Sequence, residues 1–468
     1  MIQQSAVVQW LEQNRILFIN IADSIWDNPE IALKEKHASR IQAEYLAERG
    51  FEIQWNTGGL ETAFTASWGS GKPVIGFIGE YDALKNLSQK RLPVKEPVQA
   101  GGLGHGCGHN LLGTGAMAAA AAVKEWLQSA GTIGTVRYYG CPAEEVLIGK
   151  VYMARAGAFD DLDAAFNFHP STKNCPSLEG SYAMNNLRFH FYGEPAHAGS
   201  SPHLGRSALD AVELMNVGVN YLREHVETTT RMHYVISHGG DLPNIVPAEA
   251  EVWYFLRAPG RKQVERVTER VRRIARGAAM MTDTRLEEIF TTGCYNLLNN
   301  HYLADLQYKV MQEIGPLIFT EDEKDFARQA NLAYPEEVRR ANFADLNLPE
   351  YLFEEPLLGE NYPPDKEGEQ GGGSTDVADV SWITPLNMLQ TACFPAQVTG
   401  HSWGVVAGSG SSIGHKGMLH AAKTMALAAI ELYIDPSHLV KIWEEFKQAT
   451  KGQPYVSPLP ENARLPES

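Results

Sequence analysis

Apolar side chains between residues 5 and 27 (Val8, Leu11, Phe18, Ile21, Ile25) recur at mixed three- and four-residue spacings until Asn28-Pro29 interrupts them, which predicts an amphipathic helix. A second helical run spans about 37–49 and ends at Gly50. Strand-like runs follow at 51–55, 62–68 and 74–78, the last leading into Gly79-Glu80-Tyr81-Asp82. Helix and strand then alternate, with helices over 111–128 and 146–156 and strands over 135–139 and 164–168. Such alternation predicts an α/β layer.

The pattern changes near Asn186. A strand at 187–192, a helix at 207–225, strands at 232–237 and 250–256, a helix at 261–280 and a strand at 285–290 give a β-α-β-β-α-β order. That order predicts a small α+β, ferredoxin-like domain, a four-stranded sheet with two helices on one face. Helix returns at 302–314 and is followed by an acidic, proline-punctuated stretch from 320 to 370 ending in Gly371-Gly372-Gly373. Its polarity predicts an insertion or lid with little core. A strand at 388–394 and a helix at 416–433 complete the periodic part, and the polar tail from Gly452 is expected to be loosely held. The division is therefore 1–185 and 299–468 as two parts of one domain, 186–298 as an inserted domain, and about 320–373 as an acidic insertion.

Composition narrows the function classes. A chain of 468 residues with 44% apolar and 21% charged residues is an ordinary globular sequence with room for two or three domains. The formal charge of −16 repels phosphate backbones and anionic lipid, which argues against nucleic acid and membrane as partners. The eight-residue apolar run 116–123 falls far short of the roughly 20 residues a membrane span requires. Residues 1–10 carry no basic segment followed by an apolar core, so a cytoplasmic location is expected. Five widely spaced cysteines fit a reducing compartment better than a disulfide framework.

The chemistry gathers after strands. Gly104-His105-Gly106-Cys107-Gly108-His109-Asn110 places borderline and soft metal ligands on a glycine-rich turn into a helix. Cys141-Pro142-Ala143-Glu144-Glu145 closes one apolar strand, His169 closes the next, and His401 and His415 follow a third. Open α/β sheets collect ligands beyond the carboxyl ends of their strands. One of Glu144 and Glu145 could bind metal while the other takes a proton from water, and only one of His401 and His415 need be a ligand. Cys107, His109, one glutamate, His169 and His401 are too many ligands for one closed tetrahedral site, so two ions are expected, of the kind that lie about 3.5 to 4 Å apart and activate water for attack on a carbonyl.

These motifs in this order resemble the M20 family of metallopeptidases and amidohydrolases, in the branch of aminoacylases, hippurate hydrolases and auxin-conjugate hydrolases. Where that branch usually has Cys-Gly-His-Asp and His-Ser-Pro, this chain has Cys107-Gly108-His109-Asn110 and His401-Ser402-Trp403. The resemblance implies a zinc-peptidase-like catalytic domain, a mixed sheet between helices, with the inserted domain as lid and dimerisation unit. It implies Glu144 as general base and Cys107, His109, Glu145, His169 and His401 as ligands of two divalent ions, zinc or manganese. Asp82 would orient a ligand imidazole, while Glu80 stands where many relatives have a metal-binding histidine and is left out of the ligand set. His197 would reach the partner's active site, and Asn244 and Arg257 would bind substrate carbonyl or carboxylate. The implied reaction is hydrolysis of an N-acyl amino acid amide, and the variants at Asn110 and Trp403, with Gly79-Glu80-Tyr81-Asp82-Ala83-Leu84, point to p-aminobenzoyl-glutamate as substrate. A dipeptide or other N-acyl amino acid, and a weakly active subunit of a hetero-oligomer, are the alternatives. Homodimer and heterodimer with a homologous subunit are equally compatible.

Overall fold

The apolar runs become strands of two sheets in the computed structural model, which describes residues 2–465. The strands are β1 (Glu52–Trp55), β2 (Phe64–Ser70), β3 (Val74–Glu80), β4 (Gly134–Cys141), β5 (Ala164–Ser171), β6 (Cys175–Ser177), β7 (Ala183–Tyr192), β8 (Arg231–His238), β9 (Glu249–Ala258), β10 (Arg285–Cys294) and β11 (Leu386–Ala392). The larger sheet runs β1-β2-β4-β3-β5-β11-β6. Its centre, β4, β3, β5 and β11, is parallel, and β1, β2 and β6 flank it antiparallel. Every residue of β3 is buried, as a strand covered on both faces requires. The registers pair Glu80 with Cys141 and Gln390 with His169, so the carboxyl ends of the parallel strands open along one edge.

The helices are α1 (Ile2–Gln13), α2 (Arg15–Asp27), α3 (Lys36–Glu48), α4 (His109–Ala130), α5 (Gly149–Arg155), α6 (Ala208–Leu222), α7 (Arg261–Met281), α8 (His301–Ile314), α9 (Glu321–Leu332), α10 (Glu336–Ala344), α11 (Val377–Ser381), α12 (Trp403–Ser409), α13 (Ser412–Ile434) and α14 (Ser437–Thr450). On one sheet face α4 lies against α13, and alanines buried on both helices let the two backbones approach closely. The opposite face is covered by α5 and α11 through Val151, Met153, Val377 and Val380. The catalytic unit is thus a mixed sheet between helices, as expected. The smaller sheet, β10-β7-β9-β8, is antiparallel throughout and carries α6 and α7 on one face. Among the described residues, no helix is long and apolar enough to cross a membrane.

Four expectations need correction. The helix over 5–27 is two helices, because the Asn14 side-chain amide donates to Trp10 O at 2.8 Å and competes with the backbone ladder. The helix expected from 146 begins at Gly149, since Ala143 and Leu147 adopt left-handed φ of 57° and hold Glu144–Val146 in a separate short turn. The acidic insertion has a core after all: Thr320 and Glu323 form a capping box for α9, and Ala327, Ala330, Phe343, Phe353 and Leu357 are buried. Its charges sit on the outer faces of short helices and mask a sparse apolar pattern. The tail is docked: Leu459 is buried, Tyr455 Oη donates to Asp379 Oδ1 at 2.8 Å, and Tyr295 Oη and Tyr152 Oη donate to Val456 O and Arg464 O. The partners Asp379, Tyr295 and Tyr152 lie far upstream, where a local pattern cannot reveal them.

Candidate metal centre

The loop before α4 is shaped by Gly108, whose φ of 79° favours glycine and whose missing Cβ would meet Phe394 and Pro170 at 2.9 and 3.0 Å. This turn aims Cys107 and His109 at the strand ends. Cys107 Sγ lies 3.1 Å from His169 Nε2, and His169 Nδ1 faces Pro170 O at 2.9 Å, so with the thiol ionised both ring nitrogens face acceptors. His109 Nδ1 meets Asp82 Oδ1 at 2.9 Å, and the other Asp82 oxygen accepts the Glu145 backbone N–H at 2.9 Å. Asp82 therefore orients an imidazole and a carboxylate-bearing backbone at once.

The five expected ligands converge. Cys107, His109 and His169 form one group of ligand atoms, and Cys107, Glu145 and His401 form a second, with the thiol common to both. His401 Nε2 stands 3.7 Å from Glu145 Oε2. His109 Nε2 and Glu145 Oε1 are buried without a hydrogen-bond partner, which is the condition of atoms shaped for an ion. The local charge agrees. Burial acts to raise the Cys107 thiol, but His169 and His109 outweigh it and hold it well below its ordinary value. Burial and the Cys107 thiolate push Glu145 up to about 10, and burial with the charges of Glu80 and Asp376 pushes Glu144 up to about 8. A thiolate and this many carboxylates in one buried space fit divalent cations.

The two glutamates separate spatially. Glu145 belongs to the group with Cys107 and His401, whereas Glu144 Oε2 faces His109 Nε2 at 3.9 Å. Glu80, excluded from the ligand set on sequence, approaches His109 Nε2 to 3.3 Å and shares a third group with His109 and Glu144. Its other oxygen is held 2.9 Å from the buried Lys150 Nζ, which also meets Asp376 Oδ1 at 2.5 Å. His415 lies elsewhere, paired with Asp23 at 3.1 Å, and His105 turns to Ile25 O.

A cavity of about 460 Å³ opens on these residues, bounded by Glu144, Glu145, Cys107, His169, His401 and Arg257. Arg257, on β9, donates to Gly372 O and Ser374 Oγ at 3.2 Å, while its Nε is buried without a partner. The acidic insertion thus ends as a cavity wall. His197 and Asn244 lie outside this cavity, together on the lid, where Ala198 N–H donates to Asn244 O. His197 Nδ1 accepts the Gly199 and Ser200 amides at 3.1 Å, so the neutral ring carries its proton on Nε2 and presents a donor.

Sequence reasoning missed Glu35, Lys150 and Asp376. Lys150 had a signal, a lone cation inside the apolar run 147–154. Glu35 had none, since it sits between two lysines. Fully buried, it accepts the backbone N–H groups of Leu33 and Ala143 and the Thr62 hydroxyl, each at 2.9 Å. It thereby clamps the left-handed residue immediately before Glu144. Replacing Glu35 by Ala is expected to lower kcat about 10- to 100-fold with little change in KM, and Gln, which retains the amide acceptor, is expected to recover most of the loss. Steady-state kinetics on the two variants checks this.

Residues 180–280 match the M20 peptidase dimerisation domain. The chain is 41% identical over 463 residues to one of the subunits of the p-aminobenzoyl-glutamate hydrolase of Escherichia coli (strain K12), covering 97% of this chain and 96% of that protein. It is 28% identical over 454 residues to the Homo sapiens Xaa-Arg dipeptidase, covering 93% and 90%. Among solved structures, the Bacillus subtilis YXEP protein, a dinuclear metal-binding peptidase of the M20 family, superposes with a TM-score of 0.56 at 18% identity over 90% of this chain and 99% of that one.

Proposed function

The chain belongs to the M20 family of hydrolases, and on that premise we propose that it is a binuclear amidohydrolase cleaving p-aminobenzoyl-glutamate to p-aminobenzoate and glutamate. The observation that carries the reading is the pair of ligand groups sharing Cys107, set beside Glu144 on a cavity that also holds Arg257. The residues fit two divalent ions, zinc or manganese: Cys107, His109 and His169 would hold one, and Cys107, Glu145 and His401 the other. Bound there, the ions supply polarisation of the scissile carbonyl and a lowered pKa for the attacking water.

The chain's own residues do the rest. Glu144 takes the proton of the attacking water and returns it to the leaving amine. Asp82 keeps the His109 ring in one tautomer, with Nε2 free to bind. Arg257 offers its unpartnered Nε edge to a substrate carboxylate. His197, on the lid and away from its own chain's cavity, supplies its Nε2–H to the developing oxyanion of a partner's site, as homodimer or heterodimer. The exposed edge strand β8, with Tyr234, Val235 and Ile236, supports such an assembly. Five free thiols suit the cytoplasm.

One observation favours a second reading, a dipeptidase for basic C-terminal residues. Glu179 puts a carboxylate on the cavity wall, with Lys366 3.2 Å from one of its oxygens, and could receive a cationic side chain. Release of free amino acid from p-aminobenzoyl-glutamate and from Xaa-Arg dipeptides, in the presence of added zinc or manganese, separates the two. Glutamate release with inert dipeptides is expected; dipeptide cleavage with inert p-aminobenzoyl-glutamate would replace the first reading by the second.

A further inference from the structure

The inserted segment reaches the His401 loop from outside. His401 is held at φ 49°, a left-handed conformation that is unfavourable for a residue with a Cβ and persists only where the surroundings impose it. Its side chain is largely exposed, so burial does not impose it. The residues that follow it, Ser402 to Gly404, are held by Tyr334, in the connection between α9 and α10. The Gly404 backbone N–H donates to Tyr334 Oη at 3.2 Å, Tyr334 Oη lies 2.7 Å from Ser402 Oγ, and Ser402 Oγ donates to Thr399 O at 2.5 Å. With the serine proton committed to Thr399, the tyrosine proton goes to the serine. The result is one continuous chain of hydrogen bonds, each polarising the next, whose two ends bracket His401.

The same insertion grips the loop at two further points. The Tyr334 ring stacks on Trp403 with centroids 5.4 Å apart and planes 3° from parallel. From α10, the Asn342 side-chain amide donates to Gln397 O and Thr399 Oγ1 at 2.9 and 3.1 Å. We propose that Tyr334 is a positioning residue: through the Gly404–Tyr334–Ser402–Thr399 chain it fixes the backbone of His401, and so sets the affinity of the ion held by Cys107, Glu145 and His401. This rests on the two-ion reading above. It gives the acidic insertion a task, since one end of it braces a ligand and the other forms the cavity wall that Arg257 grips.

The test is zinc binding to the apo protein in competition with a chromophoric chelator, for wild type, Tyr334→Phe, Ser402→Ala, the double variant and His401→Ala. Tyr334→Phe keeps the ring stacked on Trp403 and removes only the hydroxyl, so the fold is retained and thermal melting verifies it. Wild type is expected to bind two ions and His401→Ala to lose one of them. Tyr334→Phe is expected to weaken that same ion about 10-fold and leave the other unchanged, the size usual for a group supporting a ligand. Ser402→Ala should match it, and the double variant should be no worse than either single one, because both break one chain. Wild-type affinity for both ions in Tyr334→Phe, or equal weakening of both together with a lowered Tm, overturns the proposal. Absence of zinc binding in wild type overturns the two-ion reading and this inference with it.

Discussion

Replacing Glu144 by glutamine is expected to lower turnover of p-aminobenzoyl-glutamate about a thousandfold while both ions stay bound, the middle of the range for loss of a general base. The substitution preserves shape and removes only the ability to take up and release a proton. Glu144 suits that task by environment: it is buried, and Glu80 and Asp376 join burial in raising its proton affinity to a pKa of about 8. It faces His109 and Glu80 rather than Cys107 and His401, so its loss should spare the two ligand groups that contain the thiol. Glutamate release and metal content, measured on the same preparation, check the result. Unchanged turnover would remove Glu144 from the proton transfer. Loss of an ion along with turnover would make it a ligand, in the group it shares with His109 and Glu80. Glu145→Gln provides the contrast, because its carboxylate belongs to the Cys107 group and its variant should lose an ion.

The site was legible where chemistry sits at strand ends. Glu144, Glu145 and His169 could be placed because an apolar run precedes them, and parallel strands bring their carboxyl ends to one edge. Neither the spacing nor the residue type could order the two glutamates, because they are neighbours; the left-handed backbone of Ala143 and Leu147 around them decides which way each carboxylate turns. The lid was legible because its strands alternate and α7 carries its valines and alanines on one face. What stayed hidden were supports contributed by distant segments. Glu35 meets Ala143 across 108 residues, Lys150 meets Asp376 across 226, and Tyr334 meets Ser402 across 68. Each is an ordinary polar residue in its own neighbourhood, and its meaning arises only when the sheet and the insertion bring the partner to it.

Replacing Cys107 by alanine is expected to abolish both ion sites together, with activity falling about a thousandfold or more, where replacement of His401 removes one ion. The asymmetry follows from the geometry. The thiol alone belongs to both Cys-containing ligand groups, whereas His169 and His401 each belong to one. The sulfur is also held in its charged state, since His169 and His109 keep it well below its ordinary pKa against the opposing effect of burial. A thiolate shared by two bound cations would screen their mutual repulsion; without it each group would keep two ligands, and ions held there would repel at short range. Cys107 occupies a loop rather than the sheet, so alanine should leave the fold intact, and a near-native melting curve for the apo variant serves as the control. Metal content after dialysis is the primary measurement. A variant that retains one ion at wild-type affinity would assign Cys107 to a single site, and the other would then be held without sulfur, by nitrogen and carboxylate oxygen alone, which favours manganese over zinc there.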